Sequence, residues 1–142
     1  MKVLSLLQPW ATLAVAGAKK FECRSWQTEY RGTIIIHASA KKPNKRECQF
    51  FEEDAYFKKY IEDMAYLPYG AIIGKVELID IYRTEWLLQN IEIISFHNWA
   101  QELAFDDFSP NRYAWHFEQA EMFSMVLPIK GHLGLWEYNG QL

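Results

Sequence analysis

Apolar and polar residues change their spacing repeatedly along this chain, and each change marks an element. Lys2–Leu7 is mostly apolar and predicts a first strand. Pro9 suits the first turn of a helix, where its missing N–H costs no bond. Leu13 and Val15 carry that helix to Gly17, the residue type that most easily adopts a left-handed helix end. Lys20–Trp26 alternates charged and apolar residues, which predicts a half-buried strand. Glu22, Arg24 and Trp26 then share one face, with Phe21, Cys23 and Ser25 on the other. Thr33–His37 is β-branched and apolar, as a central strand requires.

Further along, Asn44 with Glu47 three residues later predicts a capped helix start. Phe50, Phe57, Ile61 and Met64 follow at helical steps and predict one continuous apolar face. Pro68-Tyr69-Gly70 is a turn, and Ala71–Tyr82 a long strand. Two short helices are expected at Glu85–Gln89 and Phe96–Ala104, and a turn at Ser109-Pro110-Asn111. Arg112–Glu118 and Ser124–Ile129 read as two strands, and Gly131–Gly134 turns into a last one, Leu135–Tyr138. The strands are too unevenly spaced for doubly wound βαβ units. The expected fold is α+β: a closed or nearly closed mixed β-barrel of about six strands, flanked by helices.

At 142 residues the chain is expected to form a single domain over 1–142. Neither a signal-type apolar segment nor a run near the roughly 20 residues of a membrane span is visible. The two cysteines, Cys23 and Cys48, lack metal-site spacing. These features predict a soluble cytoplasmic protein with free thiols, no metal, no cofactor and no membrane contact. Net charge is −3, unevenly spread: residues 1–50 carry nine Lys/Arg against three Glu, and residues 51–142 six against fifteen Asp/Glu. A basic face on an acidic body can hold a phosphate-bearing ligand in one place and repel nucleic acid elsewhere. Solvated surface charge with no partner is the competing reading.

Chemistry is concentrated in residues 8–43. Arg24 is a planar donor fork for phosphate or carboxylate. Glu22 can accept from a base amine or act as a general base. Trp26 offers a stacking surface. A Glu22–Arg24 salt bridge, with Lys19 complementing the helix end, is the structural reading of the same residues. Lys41 and Lys42, with Lys45 and Arg46, are either a phosphate-holding loop or ordinary surface. His37 is a proton shuttle or ligand donor, or else a satisfied core histidine. Ser25 can contact a phosphate, but no sequence neighbour completes a serine triad. Tyr113 and Trp115 either wall a base pocket or pack the barrel. Asp106 and Asp107 are too little to argue a metal.

The strings Leu6-Leu7-Gln8-Pro9-Trp10-Ala11, Gly17-x-Lys19-x-x-Glu22-x-Arg24-Ser25-Trp26, Tyr30-Arg31-Gly32 and Lys41-Lys42-Pro43 resemble the ASCH domain family. Gly70–Val76, Asp107–Trp115, Pro128–Gly131 and Gly134-Leu135-Trp136 extend the resemblance over nearly the whole chain. It implies a PUA-like barrel with a cleft between barrel and helices, and a role with nucleic acid or modified nucleosides. Lys19, Glu22, Arg24, Ser25 and Trp26 would line the cleft, with Arg112 and Tyr113 opposite, and Arg31, Lys41 and Lys42 on phosphates. Some small relatives hydrolyse the acyl amide of acetylated cytidine, and ribonuclease activity is ascribed to others. The amidases carry Lys and Thr three residues apart with a distant Glu. Lys19 matches the Lys, Glu102 is the candidate distant Glu, and Glu22 replaces the nucleophilic Thr. The expectation is therefore a nucleic-acid or nucleoside binder. A hydrolase using Glu22 and Lys19 stands second, and a regulatory module with a vestigial pocket third.

Overall fold

The computed structural model describes residues 1–92, 94 and 98–142. Six strands form: β1 (Lys2–Leu6), β2 (Phe21–Arg24), β3 (Gly32–Ala38), β4 (Ala71–Arg83), β5 (Tyr113–Pro128) and β6 (Leu135–Glu137). They make one sheet in the order β2-β5-β4-β3-β1-β6. β1 and β3 are parallel, and the other neighbours are antiparallel. The helices are α1 (Trp10–Val15), α2 (Lys45–Glu53), α3 (Thr84–Gln89) and α4 (Trp99–Phe105), with single 3₁₀ turns at Phe57–Lys59 and Met64–Tyr66. This is the α+β mixed barrel that the patterning predicts, left open, with β2 and β6 as its edges.

The sheet is bent where its longest strands lose register. β4 and β5 shift against each other between Ile72 and Gly74, Lys75 and Glu77, and Leu78 and Asp80. Extra residues of this kind bend a strand and raise its twist. One face buries Leu4, Leu6, Ile34, Ile36, Ile73, Val76, Trp115 and Phe117 against Ala11, Ala14 and Val15 of α1. Val3, Ile35, Ile72 and Trp136 form a smaller cluster. α1 stops at Gly17, whose φ is +78°, and the Ala18 and Gly17 amides bond the Leu13 and Ala14 carbonyls at 3.0 and 3.1 Å. That is the closing pattern glycine makes possible.

Three expectations need correction. β2 ends at Arg24, so Trp26 lies beyond the strand, and Phe21, Glu22 and Cys23 are all buried. The apolar stripe after Asn44 is not one helix: α2 stops at Glu53, and Phe57 and Met64 sit in the two 3₁₀ turns. Phe50 is exposed, and Phe51 instead joins Leu13, Phe57, Ile61, Met64 and Phe105 in a second core. The strands expected at Arg112–Glu118 and Ser124–Ile129 are one continuous β5, passing Gln119 at φ +50°. The helix expected at Phe96–Ala104 begins outside the described residues, and α4 runs from Trp99.

At Gly74 the sheet leaves no room for a side chain beneath Val15 of α1. A Cβ there would lie 2.3 Å from the Glu121 carbonyl oxygen and 2.7 Å from Val15 Cγ1. Gly74→Ala is expected to cost about 1–3 kcal/mol by overpacking. Urea unfolding measures it, and a loss below about 0.5 kcal/mol would contradict the packing described.

Candidate functional site

The turn that ends α1 aims Lys19 inward. Its amide bonds the Leu13 carbonyl at 3.1 Å, and its side chain is fully buried. Nζ donates to Glu22 Oε1 at 3.0 Å, to Asp106 Oδ2 at 2.6 Å and to the Phe21 carbonyl, which uses all three donors. Asp106 Oδ2 also accepts the Cys23 amide at 2.9 Å. Glu22 Oε2 accepts from Arg24 Nη1 at 3.1 Å. Glu102, buried on α4, accepts the Lys20 and Phe21 amides at 3.0–3.1 Å. Two carboxylates from α4 and the residue after it therefore grip the start of β2.

Burial penalises the Lys19 charge, but the neighbouring Glu22 and Asp106 carboxylates outweigh it and raise its pKa above the ordinary lysine value. Burial raises the pKa of Glu102, opposed by the two amides and by Lys19. Burial and the Asp106 charge push the Cys23 thiol up, which keeps it protonated and unreactive.

A cleft of about 270 Å³ opens beside this cluster. Ser5, Leu6, Leu7 and Trp10, from the end of β1 and the start of α1, line one side, and Glu22, Arg24 and Asp106 line the other. The curl of the sheet brings β1 and the edge strand β2 together here. Arg24 Cζ lies 5.4 Å from the Trp26 ring centroid, and its buried Nε has no hydrogen-bond partner among the described residues. No group of three or more His, Cys, Asp or Glu is arranged for a metal among the described residues.

Of the residues expected from the sequence to line the cleft only Glu22 and Arg24 do so; Lys19 is buried behind them, and Ser25, Trp26, Arg112 and Tyr113 lie elsewhere, as do Arg31, His37, Lys41 and Lys42. Ser25 is exposed, and Trp26 packs edge-on against Trp115 at 4.8 Å. Arg112 donates to the Cys23 carbonyl at 3.0 Å. Tyr113 stands under Arg83, whose Cζ is 5.3 Å from the ring centroid. Arg31 is exposed and bonds the Thr28 and Tyr30 carbonyls. Lys41 and Lys42 are exposed, with Lys42 Nζ 5.6 Å from the Tyr69 ring centroid. The loop carrying them leaves β3 at Ser39, whose amide bonds the carbonyl of the cleft residue Leu6 at 2.8 Å. His37 is 1% exposed, between Ser5 Oγ at 3.0 Å and the Ile129 carbonyl at 2.7 Å. Sequence reasoning missed Asp106 as the partner of Lys19 and Ser5, Leu6 and Leu7 as cleft walls. The Asp106-Asp107 pair was the available signal for the first.

An open mixed half-barrel with a charged cleft between its sheet and helices is the PUA-like arrangement. A family model described as "ASCH domain" matches residues 4–129, and the chain belongs to that family. Over 143 aligned residues it is 32% identical to activating signal cointegrator 1 of Homo sapiens and 30% identical to that of Mus musculus. The alignment covers 98% of this chain but 22% of each relative, so the chain spans about a fifth of their length. Among solved structures, a point mutant of an ASCH protein from Zymomonas mobilis aligns with 91% of this chain and 72% of its own, at 17% identity and a TM-score of 0.49. The unmutated protein aligns with 85% of this chain and 68% of its own, at 17% identity and a TM-score of 0.48.

Two outcomes follow from the buried charges. Lys19→Met leaves the Glu22 and Asp106 carboxylates without their cation, and a stability loss of about 3–5 kcal/mol is expected. Denaturant unfolding measures it, and a loss under about 1 kcal/mol would contradict the clamp. Burial lowers the His37 pKa below its ordinary 6.5, against the pull of the Ile129 carbonyl. The unfolded chain therefore takes up this proton first. The stabilisation is complete above about pH 6.5 and is lost as pH falls from there through the folded pKa. His116, also lowered by burial, adds in the same direction. Thermal melts between pH 7.5 and 5 should fall, and the fall should be shallower in His37→Gln.

Proposed function

We propose that the cleft binds a single nucleobase or nucleoside and that the adjoining Lys41–Lys42 loop holds the phosphates of a nucleic acid. The observation that carries this is the arrangement around Lys19. It holds two carboxylates in place, with a guanidinium beside them, facing an indole and two leucines. Carboxylates accept from base amines and ring N–H groups, and Arg24 donates to ring acceptors. Trp10 supplies an apolar wall. At about 270 Å³ the cleft falls just under the roughly 300–1,000 Å³ range of drug-sized sites, the scale of one base. The basic loop beside Leu6 and the positive first third of the chain supply charge where a backbone would pass. Membership of the ASCH domain family supports the same reading. Lys19 has every donor engaged and stays charged, so it offers no free amine as a catalytic base, and binding is read ahead of hydrolysis by Lys19 and Glu22.

Fluorescence anisotropy with labelled single-stranded RNA and DNA, titrated against salt, tests this. Arg24→Ala should weaken binding at least about tenfold, the worth of one charged hydrogen bond. Lys41→Ala with Lys42→Ala should flatten the slope of log K against log salt by about 1.4, or 0.7 for each phosphate no longer neutralised. Unchanged affinity in the Arg24 variant would remove the cleft from the interface. No binding of either nucleic acid, and no thermal shift with nucleosides, would leave a module without this ligand.

A further inference from the structure

The polar wall of the cleft has an order of donors and acceptors, and that order bears on which base it takes. Glu22 Oε1 accepts from Lys19 Nζ at 3.0 Å, and Oε2 from Arg24 Nη1 at 3.1 Å. Asp106 Oδ2 accepts from Lys19 Nζ at 2.6 Å and from the Cys23 amide at 2.9 Å, and Oδ1 from the Asp107 amide at 2.7 Å. A carboxylate offers about four acceptor sites, so Glu22 with two bonds keeps about two and Asp106 with three keeps about one, counted among the described residues. Both line the cleft, and neither side chain is sealed: 11% of Glu22 and 15% of Asp106 is exposed. Glu22 touches Arg24 directly and Asp106 through the shared ammonium of Lys19. The wall therefore runs Arg24, Glu22, Asp106: a donor followed by two acceptors. The facing wall adds no competing side-chain donor. Leu6 and Leu7 are apolar, Trp10 Nε1 is engaged by the Phe105 carbonyl at 2.6 Å, and Ser5 Oγ meets His37 Nδ1 at 3.0 Å.

A base that meets this wall must present an acceptor and then two donors along one edge. Guanine does so, with O6, the ring N1–H and the 2-amino group in that order. Cytosine presents one amine followed by two acceptors. Uracil presents one N–H between two carbonyls, and adenine one amine beside a ring acceptor. Each of these three turns a lone pair toward a carboxylate, which leaves polar groups unpaired and repels. We propose that the base this cleft takes is guanine, with N1–H and the 2-amino group on Glu22 and Asp106 and O6 on Arg24. The Nη hydrogens that Arg24 does not give to Glu22 are the donors to O6. The inference rests on the nucleobase reading of the same cleft and adds the identity of the base. Lys19 contributes by position alone: with its three donors engaged, it sets the two carboxylates side by side without meeting the base.

The test uses the full wild-type chain and needs no variant. Short labelled RNA strands of uridine, unchanged or carrying one central guanosine, inosine, adenosine or cytidine, are titrated by fluorescence anisotropy at one salt concentration. Inosine keeps O6 and N1–H but lacks the 2-amino group. The guanosine strand should bind at least about tenfold more tightly than the inosine strand, the worth of one charged hydrogen bond. It should exceed the adenosine, cytidine and all-uridine strands by at least as much. Equal affinity for the guanosine and inosine strands, or tighter binding of any other strand, overturns the assignment of guanine and leaves the nucleobase reading standing. No binding of any strand removes that reading, and the assignment with it. Glu22→Gln, shown by circular dichroism to be folded, gives a second measure. Its amide donates where guanine also donates and suits the amine–acceptor edge of adenine. The preference for guanosine over adenosine should therefore fall at least about tenfold. An unchanged preference in that folded variant overturns the role of Glu22.

Discussion

A lysine ammonium with no exposure to water is the constraint around which this molecule is arranged. Lys19 must be surrounded by acceptors, because an unpaired buried charge would cost several kcal/mol. Those acceptors come from three places: Glu22 three residues on, the Phe21 carbonyl between, and Asp106 from beyond α4. Meeting that need draws the far end of the chain onto the edge strand β2. Glu102 completes the contact by accepting the amides of Lys20, just before the strand, and of Phe21, its first residue. A four-residue edge strand is a weak element by itself. Here it is anchored by charge on one side and by β5 on the other.

The geometry of the cleft follows from that anchoring. Glu22 and Asp106 have fixed positions because Lys19 holds both, and Arg24 is steadied by the second oxygen of Glu22. Opposite them stand Leu6, Leu7 and Trp10, delivered by the chain as it leaves β1 for α1. Side chains oriented by their neighbours lose little entropy on meeting a ligand. The same three bonds engage every Nζ donor of Lys19.

Much of the fold was legible locally. Gly17 ending α1, the Asn44–Glu47 cap of α2 and the β-branched run of β3 are short-range preferences, and each produces its element. The failures were also physical. Phe50, Phe57, Ile61 and Met64 keep helical spacing, yet Asp54 leaves the helix with extended backbone and its carboxylate caps the next turn. Periodicity cannot register such a break. The sequence pattern divides β5 in two because Gln119 and its neighbours lose strict alternation at a bend, where the register against β4 shifts.

Within the candidate site, the sequence by itself singles out Lys19, Glu22 and Arg24 as candidates, because they lie within six residues and their charges stand out against an apolar background, and the structure brings the three together. It also determined the α+β class and the membership of the ASCH domain family. Only the tertiary structure decided that Asp106, eighty-seven residues from Lys19, is the second carboxylate, and that His37 meets Ser5 rather than solvent. Local spacing reports which face of an element is apolar, and contacts within one element follow from it. Which two distant faces meet depends on the curl of the sheet. That curl arises from bulges and packing summed over six strands, and no single stretch of residues encodes it.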